Sequence, residues 1–353
     1  MNSRDVEVSI VVACRNEIGH IRDLLDSIVQ QEMGDTPWEA IVADGMSSDG
    51  TRAVLVEYCV RHPQIRVVDN PRRIVSTGLN HAIRAARGPI IMRMDAHTSY
   101  APDYCRCCLE ALERTGADNV GGPARTKTAD VRARAVAAAY HSRFSTGGAR
   151  FHDVSYQGWV DTVPYGCWRK ATLERLGLFD ETLVRNQDDE LNLRLVRMGA
   201  RIWQDPAIVA WYSPRSRLSP LFRQYFQYGF WKVAVIRKHW LPASWRHLVP
   251  VLFVLLHALV IVSLVTALAL AAPTWATASA IAGLVLVGAY GAATLSASVL
   301  TAHRAGWTTL PYLPAAFAAY HFAYGLGFLF GLRWLVRPPD VPGKESIFTS
   351  LSR

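Results

Sequence analysis

Between residues 8 and 115, short apolar runs alternate with stretches of helical periodicity. VSIVVAC (8–14), WEAIVAD (38–44), IRVV (65–68) and PIIMRMD (89–95) read as strands, and residues 18–32, 50–61, 76–86 and 103–115 as helices. That alternation predicts an α/β fold, a mostly parallel sheet with helices on both faces. The pattern then changes. Residues 248–270, 276–300 and 312–332 contain no Asp, Glu, Lys or Arg, and each reaches the roughly 20 residues that span a bilayer core. Three membrane helices are expected, since buried helices of a soluble bundle usually keep a polar stripe. Pro206 and Pro214 mark the exit from the alternating part, and Pro220, Pro242 and Pro250 punctuate the stretch leading to the first apolar segment.

Charge sharpens the division. Of 353 residues half are apolar, and the formal net charge is +9. Arg215, Arg217, Arg223, Lys232, Arg237, Lys238 and Arg246 fall in one stretch without an acidic residue, interleaved with Phe222, Tyr225, Phe226, Tyr228, Phe230, Trp231 and Trp240. Beside a membrane span, a basic and aromatic stretch reads as an interfacial helix on an anionic leaflet, and nucleic acid is not expected as a partner. The expected organisation is a domain over 1–213, a basic amphipathic linker over 214–247, three spans within 248–335 and a tail over 336–353. Met1 to Glu7 is polar and Val8 to Ala13 is too short for a secretory core segment, which places the first domain in the cytoplasm. The six cysteines show no disulfide or zinc-finger spacing, and Cys105, Cys107 and Cys108 read as reduced residues of a helix. Arg333, Arg337, Lys344 and Arg353 come after the third span and conflict with positive-inside bias if all three segments cross.

Candidate chemistry gathers where strands end. Asp95 and His97 put a carboxylate and an imidazole two positions apart at the end of the fourth strand, a donor set that suits Mn²⁺ or Mg²⁺ and, through it, a departing diphosphate. A strand-end Asp also serves as a helix cap. Asp44 closes the second strand, and its carboxylate can accept from the ring N–H of uracil or guanine. Arg15, Asn16 and Glu17 come just past the first strand at the same edge, within reach of base or ribose, whereas Asp49 in the Gly45–Thr51 turn has a turn or capping character. Gly166 stands in a Pro-Tyr-Gly-Cys-Trp turn where backbone can approach a sugar, although a plain tight turn accounts for it nearly as well. Arg72 and Arg73 are candidates for phosphates or for an ordinary surface pair. Asn186 to Glu190 reads as the acidic start of a helix over Asp189 to Met198.

Together the segments 8–17, 43–51, Gly78-Leu-Asn80 and 94–97 resemble family 2 glycosyltransferases of the GT-A fold, and 163–170 with 186–191 resemble that family's ExoA-like, succinoglycan-biosynthesis branch. The resemblance covers about residues 7–235. It implies an inverting hexosyl transfer from a nucleoside diphosphate sugar, UDP-linked by preference, to a saccharide on a polyprenyl diphosphate, at the inner membrane of a bacterium. Carried over residue by residue, it makes Asp188 the catalytic base and assigns Ala13, Arg15, Glu17, Asp44, Asp95 and Gly166 to the nucleotide sugar. Asp95 and His97 take the place of the family's metal motif, with a divalent Mn²⁺ or Mg²⁺ as cofactor. Two departures stand out: Gln187 replaces the Glu of the usual Glu-Asp pair, and His97 replaces a second Asp. Gln224-Tyr-Phe-Gln227-Tyr228 lacks the Arg and Trp of the Gln-x-x-Arg-Trp element of processive synthases. A polymerising synthase and a noncatalytic scaffold of the same fold are the alternatives.

Overall fold

A computed structural model describes residues 5–242 and 244–336. The first elements are β1 (Val8–Cys14), α1 (Ile21–Val29), β2 (Trp38–Asp44), α2 (Thr51–Arg61), β3 (Ile65–Asp69), α3 (Val75–Ala85), β4 (Ile90–Arg93), β5 (Thr98–Tyr100), α4 (Tyr104–Thr115) and β6 (Asn119–Gly121). After them come α5 (Val131–His141), α6 (Arg143–Thr146), β7 (Gly158–Val160), β8 (Cys167–Arg169), α7 (Lys170–Leu176), α8 (Gln187–Arg197), β9 (Ile202–Gln204) and β10 (Ala210–Tyr212). Four long helices complete the described chain: α9 (Leu218–His239), α10 (Val249–Ala269), α11 (Pro273–Ala305) and α12 (Leu313–Gly331). The chain divides into two compact units, one of residues 1–127 with 150–213, the other of residues 128–149 with those from Pro214 onward.

In the first unit an eight-stranded sheet has the order β3-β2-β1-β4-β8-β6-β9-β7. The four strands expected from periodicity, β1 to β4, pair parallel, with Val8 level with Trp38 and Ile90 and Cys14 level with Asp44. β8 is antiparallel to both β4 and β6, β7 is antiparallel to β9, and β5 and β10 form a separate ribbon. These additional strands are three residues long, too short for alternation to register as a pattern.

Alternation along β1 feeds two cores. Val8, Ile10 and Val12 pack with Leu24, Leu25, Leu55, Tyr58 and Leu112 from α1, α2 and α4. Val11 packs on the other face with Leu79, Ile83, Leu191 and Leu195 from α3 and α8. Each fully buried Leu or Ile is worth about 1.5–3 kcal/mol, so helices on both faces are what the hydrophobic strands demand. Gly78 lets α3 lie against the sheet, since a Cβ there would stand 2.8 Å from Asn70 Nδ2 and 3.0 Å from Ala13 Cβ. The buried charge of Glu39 is matched by the Ser9 hydroxyl at 2.8 Å, Arg66 at 2.9 Å and the Arg87 backbone N–H at 2.6 Å. Those hydrogen bonds outweigh burial and hold its carboxyl below the ordinary glutamate range.

The second unit is helical. α10, α11 and α12 reproduce the three expected apolar segments, and all three are long and apolar enough to cross a membrane. α10 and α11 leave Leu252, Leu256, Leu259, Ile261, Val262, Ile281, Leu284 and Val285 exposed, a surface suited to lipid rather than water. Most of the basic stretch expected as a linker over 214–247 forms one helix, α9, running through Pro220, which sits in the first turn where no backbone hydrogen bond is lost. Its face is buried along α12, where glycines remove the side chains between backbones. A Cβ on Gly229 would stand 2.0 Å from the Tyr324 carbonyl oxygen, and one on Gly327 would stand 2.0 Å from that of Phe226. Residues 128–149, expected within the first domain, belong to this unit. Ala135, Val136 and Ala139 pack with Leu313, Ala316, Phe317 and Tyr320, and the Tyr320 hydroxyl donates to the Val136 carbonyl at 3.1 Å. An alanine-rich helix buries this way only against a close-packed partner, which its own sequence does not disclose. Arg337, Lys344 and Arg353, on which the question of crossing rested, lie outside the described residues.

Gly327→Ala is expected to destabilise the second unit by about 1–3 kcal/mol through overpacking against α9. Thermal unfolding of the full chain in detergent, followed by tryptophan fluorescence, measures it. An unchanged transition would show that the helices are not in backbone contact there.

Candidate functional site

The parallel strands β2, β1 and β4 end at one edge, and the loops leaving them carry most of the expected residues. Asn16 adopts a left-handed conformation, φ 53°, and its N–H donates to the Ser47 hydroxyl at 2.8 Å while its side-chain oxygen accepts from the Ser48 N–H at 2.8 Å. The loops after β1 and β2 are thereby stitched together. Asp49 completes the stitch, accepting from the Thr51 N–H at 3.0 Å and the Ile18 N–H at 3.2 Å, the turn role its setting predicted. Arg15 lies over Gly45, where a Cβ would meet the Arg15 Cβ at 2.9 Å. Asp44 is 1% exposed. Ser47 Oγ donates to its Oδ1 at 2.5 Å and Arg52 to its Oδ2 at 3.2 Å. A carboxylate retains further lone pairs, so a base N–H could share these oxygens. Burial and the charges of Asp44 and Glu17 together push the Cys14 thiol far up, so it stays neutral.

Past β4 the site turns to the other face of the sheet. Arg93, 4% exposed as a side chain, grips Asp95 with two parallel hydrogen bonds, Nε to Oδ1 at 2.8 Å and Nη2 to Oδ2 at 2.9 Å. Its remaining Nη1 donates to Asp188 Oδ1. Sequence reasoning passed over Arg93, although a cation inside the apolar run PIIMRMD is a signal in itself, because a buried Arg must be paired. The two carboxylates hold its pKa above even the usual arginine range, against the opposing effect of burial. The Asp95 N–H donates to the Tyr100 hydroxyl at 2.7 Å, and the Tyr165 and Thr98 hydroxyls are 2.6 Å apart.

Asp188 occupies the first turn of α8, which starts at Gln187 rather than at Asp189, behind Asn186 at φ 60°. Its side chain is 43% exposed. Loss of bulk water pushes its pKa up, Arg93 opposes this, and the charges of Asp95 and Asp189 add to the rise. Glu190, by contrast, is fully buried and bound by Arg194 at 2.8 and 2.7 Å, a structural pair. Asn80, in the quoted Gly-Leu-Asn segment, steadies the approach to α8. It donates to the Phe179 carbonyl at 2.8 Å and accepts from the Phe179 N–H at 2.9 Å.

Three expected residues sit differently. His97 Nε2 lies 3.2 Å from Glu17 Oε1, and its ring meets the edge of His20, so Glu17 is placed beside the imidazole. Arg72 reaches Glu181 at 3.1 Å in an ion pair between partly exposed side chains. Gly166, φ 104°, has the Trp168 ring where a side chain would begin, its Cζ2 2.3 Å from an added Cβ, and its carbonyl accepts from the Arg93 N–H at 3.1 Å. The tight turn is thus required by the protein itself.

Asp95 and His97 keep 32% and 37% of their side chains exposed, and carboxylate and imidazole are donor types a divalent ion accepts. Among the described residues no group of three or more His, Cys, Asp or Glu is placed to hold one. Mg²⁺ and its analogues commonly take only one or two carboxylates and complete their shell with phosphate oxygens and water.

A mostly parallel sheet with helices on both faces and the site loops at its strand ends is the arrangement of the GT-A fold. Residues 9–171 match the family model Glycosyl transferase family 2. The chain is 33% identical over 245 residues to the succinoglycan biosynthesis protein ExoA of Rhizobium meliloti (strain 1021), spanning 68% of this chain and 73% of that protein. It is 27% identical over 72% of its length to the dolichyl N-acetyl-α-D-glucosaminyl phosphate 3-β-D-2,3-diacetamido-2,3-dideoxy-β-D-glucuronosyltransferase of Methanococcus voltae, of which it covers 81%. Among solved structures it resembles the mannosyltransferase PcManGT from Pyrobaculum calidifontis, in complex with GDP-Man and Mn²⁺, with a TM-score of 0.54 at 24% identity over 90% of this chain and 86% of that one. The last likeness concerns the fold alone. This chain belongs to glycosyl transferase family 2 and is a glycosyltransferase.

Gly166→Ala should destabilise the first unit whether or not nucleotide is present, by about 1–3 kcal/mol from backbone strain with overpacking added. Thermal denaturation with and without UDP checks this. Normal stability combined with weakened UDP binding would instead assign Gly166 to the ligand.

Proposed function

We propose that this enzyme transfers a sugar, with inversion, from a nucleoside diphosphate sugar, UDP-linked by preference, to a saccharide carried on a polyprenyl diphosphate. The observation that carries the reading is the pairing of Asp95 and Asp188 across one guanidinium at the strand edge. Direct displacement at an anomeric carbon needs a base on the acceptor hydroxyl and charge neutralisation at the departing diphosphate on the opposite side. Asp188 takes the hydroxyl proton as the acceptor oxygen attacks and the bond from C1 to the diphosphate oxygen breaks. Asp95 and His97 would hold a divalent cation, Mn²⁺ or Mg²⁺, which when bound would neutralise the charge gathering on that diphosphate. Glu17 orients the His97 ring. Asp44 receives the base N–H, with Ala13 and Arg15 beside it at the end of β1. A single displacement on an α-linked donor yields a β-glycoside, the linkage in the name of the Methanococcus voltae relative, which gives that protein's acceptor as a dolichyl phosphate-linked sugar.

The helical unit supports a membrane-borne acceptor. Three apolar helices and the exposed Trp240 and Trp245 among Arg237, Lys238 and Arg246 suit a multi-pass protein of the bacterial inner membrane. The catalytic unit then works on the cytoplasmic face. Gln227, fully buried in α9, and Tyr228 stand in place of the Arg and Trp of processive synthases, which favours single addition.

Asp188→Asn should lower kcat by about 10²–10⁴ with UDP affinity little changed, while Asp189→Asn is mild. Because the Asp188 pKa is raised, activity on the acid side should fall at a higher pH than for an ordinary carboxylate base. Nucleoside diphosphate release from a panel of UDP- and GDP-sugars, with bacterial lipid extract as acceptor, reads both effects. Chelation should abolish release and Mn²⁺ or Mg²⁺ restore it. Full activity of Asp188→Asn sinks the base assignment, and full activity after exhaustive chelation sinks the metal role.

A further inference from the structure

Arg93 is heavily committed at the strand edge, and the chemistry above gives it no role of its own. Its guanidinium is buried, its Nε and both Nη nitrogens are engaged, and the two groups it holds come from distant parts of the chain, Asp95 just past β4 and Asp188 at the start of α8. We propose that Arg93 is the positioning residue of the transfer reaction, a planar fork that fixes the separation between the carboxylate on the leaving-group side and the carboxylate that accepts the proton. This inference rests on the roles proposed for Asp95 and Asp188.

In-line displacement places the base and the leaving group on opposite sides of the anomeric carbon, so the distance between their protein partners is a catalytic parameter. A misplacement of about 1 Å can cost on the order of 10² in rate. A guanidinium can set such a distance because its donors lie in one rigid plane, whereas a lysine ammonium is a single point charge on a flexible stem. The fork also leaves Asp95 competent toward a cation, since it uses one lone pair on each oxygen and the side chain remains 32% exposed. The anchorage of Arg93 is itself firm. Its N–H donates to the Gly166 carbonyl at 3.1 Å, and β4 is clamped between β1 and β8.

The test uses the full-length protein in detergent and three readouts: thermal unfolding, Mn²⁺–UDP binding by calorimetry, and nucleoside diphosphate release from the same panel of UDP- and GDP-sugars. Arg93→Lys keeps the charge and should keep Mn²⁺–UDP affinity within about threefold while kcat falls about 10²-fold. Arg93→Ala should lose at least as much, and millimolar guanidinium should restore part of it while ethylammonium and urea do not. In an Asp188→Asn background Arg93→Lys should cost little more, because a residue acting through Asp188 has nothing left to position. The inference is overturned if Arg93→Lys turns over within about threefold of the parent, if its loss is fully additive with Asp188→Asn, if guanidinium gives no rescue, or if neither Arg93 variant folds, since Arg93 is then only a structural bolt. Those results leave the base assignment standing, whereas normal turnover by Asp188→Asn removes that assignment and the inference with it.

Discussion

Parallel pairing of β1 with a neighbour on each side is the constraint that shapes the catalytic unit. With Cys14 level with Asp44 and Val11 level with Arg93, the carboxyl ends of three strands come out side by side, and the loops that leave them have no choice but to share one edge. The same pairing sends alternate side chains to opposite faces, so Asp44 engages Arg52 of α2 on one face while Arg93 meets Asp188 of α8 on the other. The site is therefore split across the sheet edge by the pleat itself.

Burial is what makes the charges at this edge specific. A guanidinium at the surface exchanges partners with water at little cost, but one that is 4% exposed must keep its carboxylates or carry an uncompensated charge into the protein. The Arg93 assembly therefore resists rearrangement: its guanidinium engages both oxygens of Asp95 and counters the rise that burial and the neighbouring carboxylates impose on the Asp188 pKa. Glu39 shows the same logic at the opposite end of the strands, where hydrogen bonds rather than water satisfy a buried carboxylate.

In the helical unit the organising force is close backbone approach. Gly229 faces α12, and Gly325, Gly327 and Gly331 remove side chains where α12 meets α10 and α9. Apolar side chains have little reason to prefer protein over lipid tails, so packing quality has to hold such helices together. The 128–149 segment joins this unit through the small side chains of Ala135 and Ala139 and through Tyr320 and His321, whose polar atoms bond the carbonyls of Val136 and Phe144.

The amino-acid sequence by itself determined β1 to β4, the helices between them and the three apolar segments, because each is long enough for a period of two or 3.6, or for uninterrupted apolarity, to stand out. It also placed Asp44, Asp95 and His97 at strand ends, since where a strand stops is a local property. What only the tertiary structure decided are the relations between distant segments: the antiparallel strands β7 and β8, the transfer of residues 128–149 to the helical unit, the pairing of His97 with Glu17, the filling of the Gly166 turn by Trp168, and the meeting of Arg93 with Asp188. Arg93 and Asp188 are 95 residues apart. No periodicity links them, and only the burial of a charged strand residue, a property of the folded sheet, obliges one to find the other.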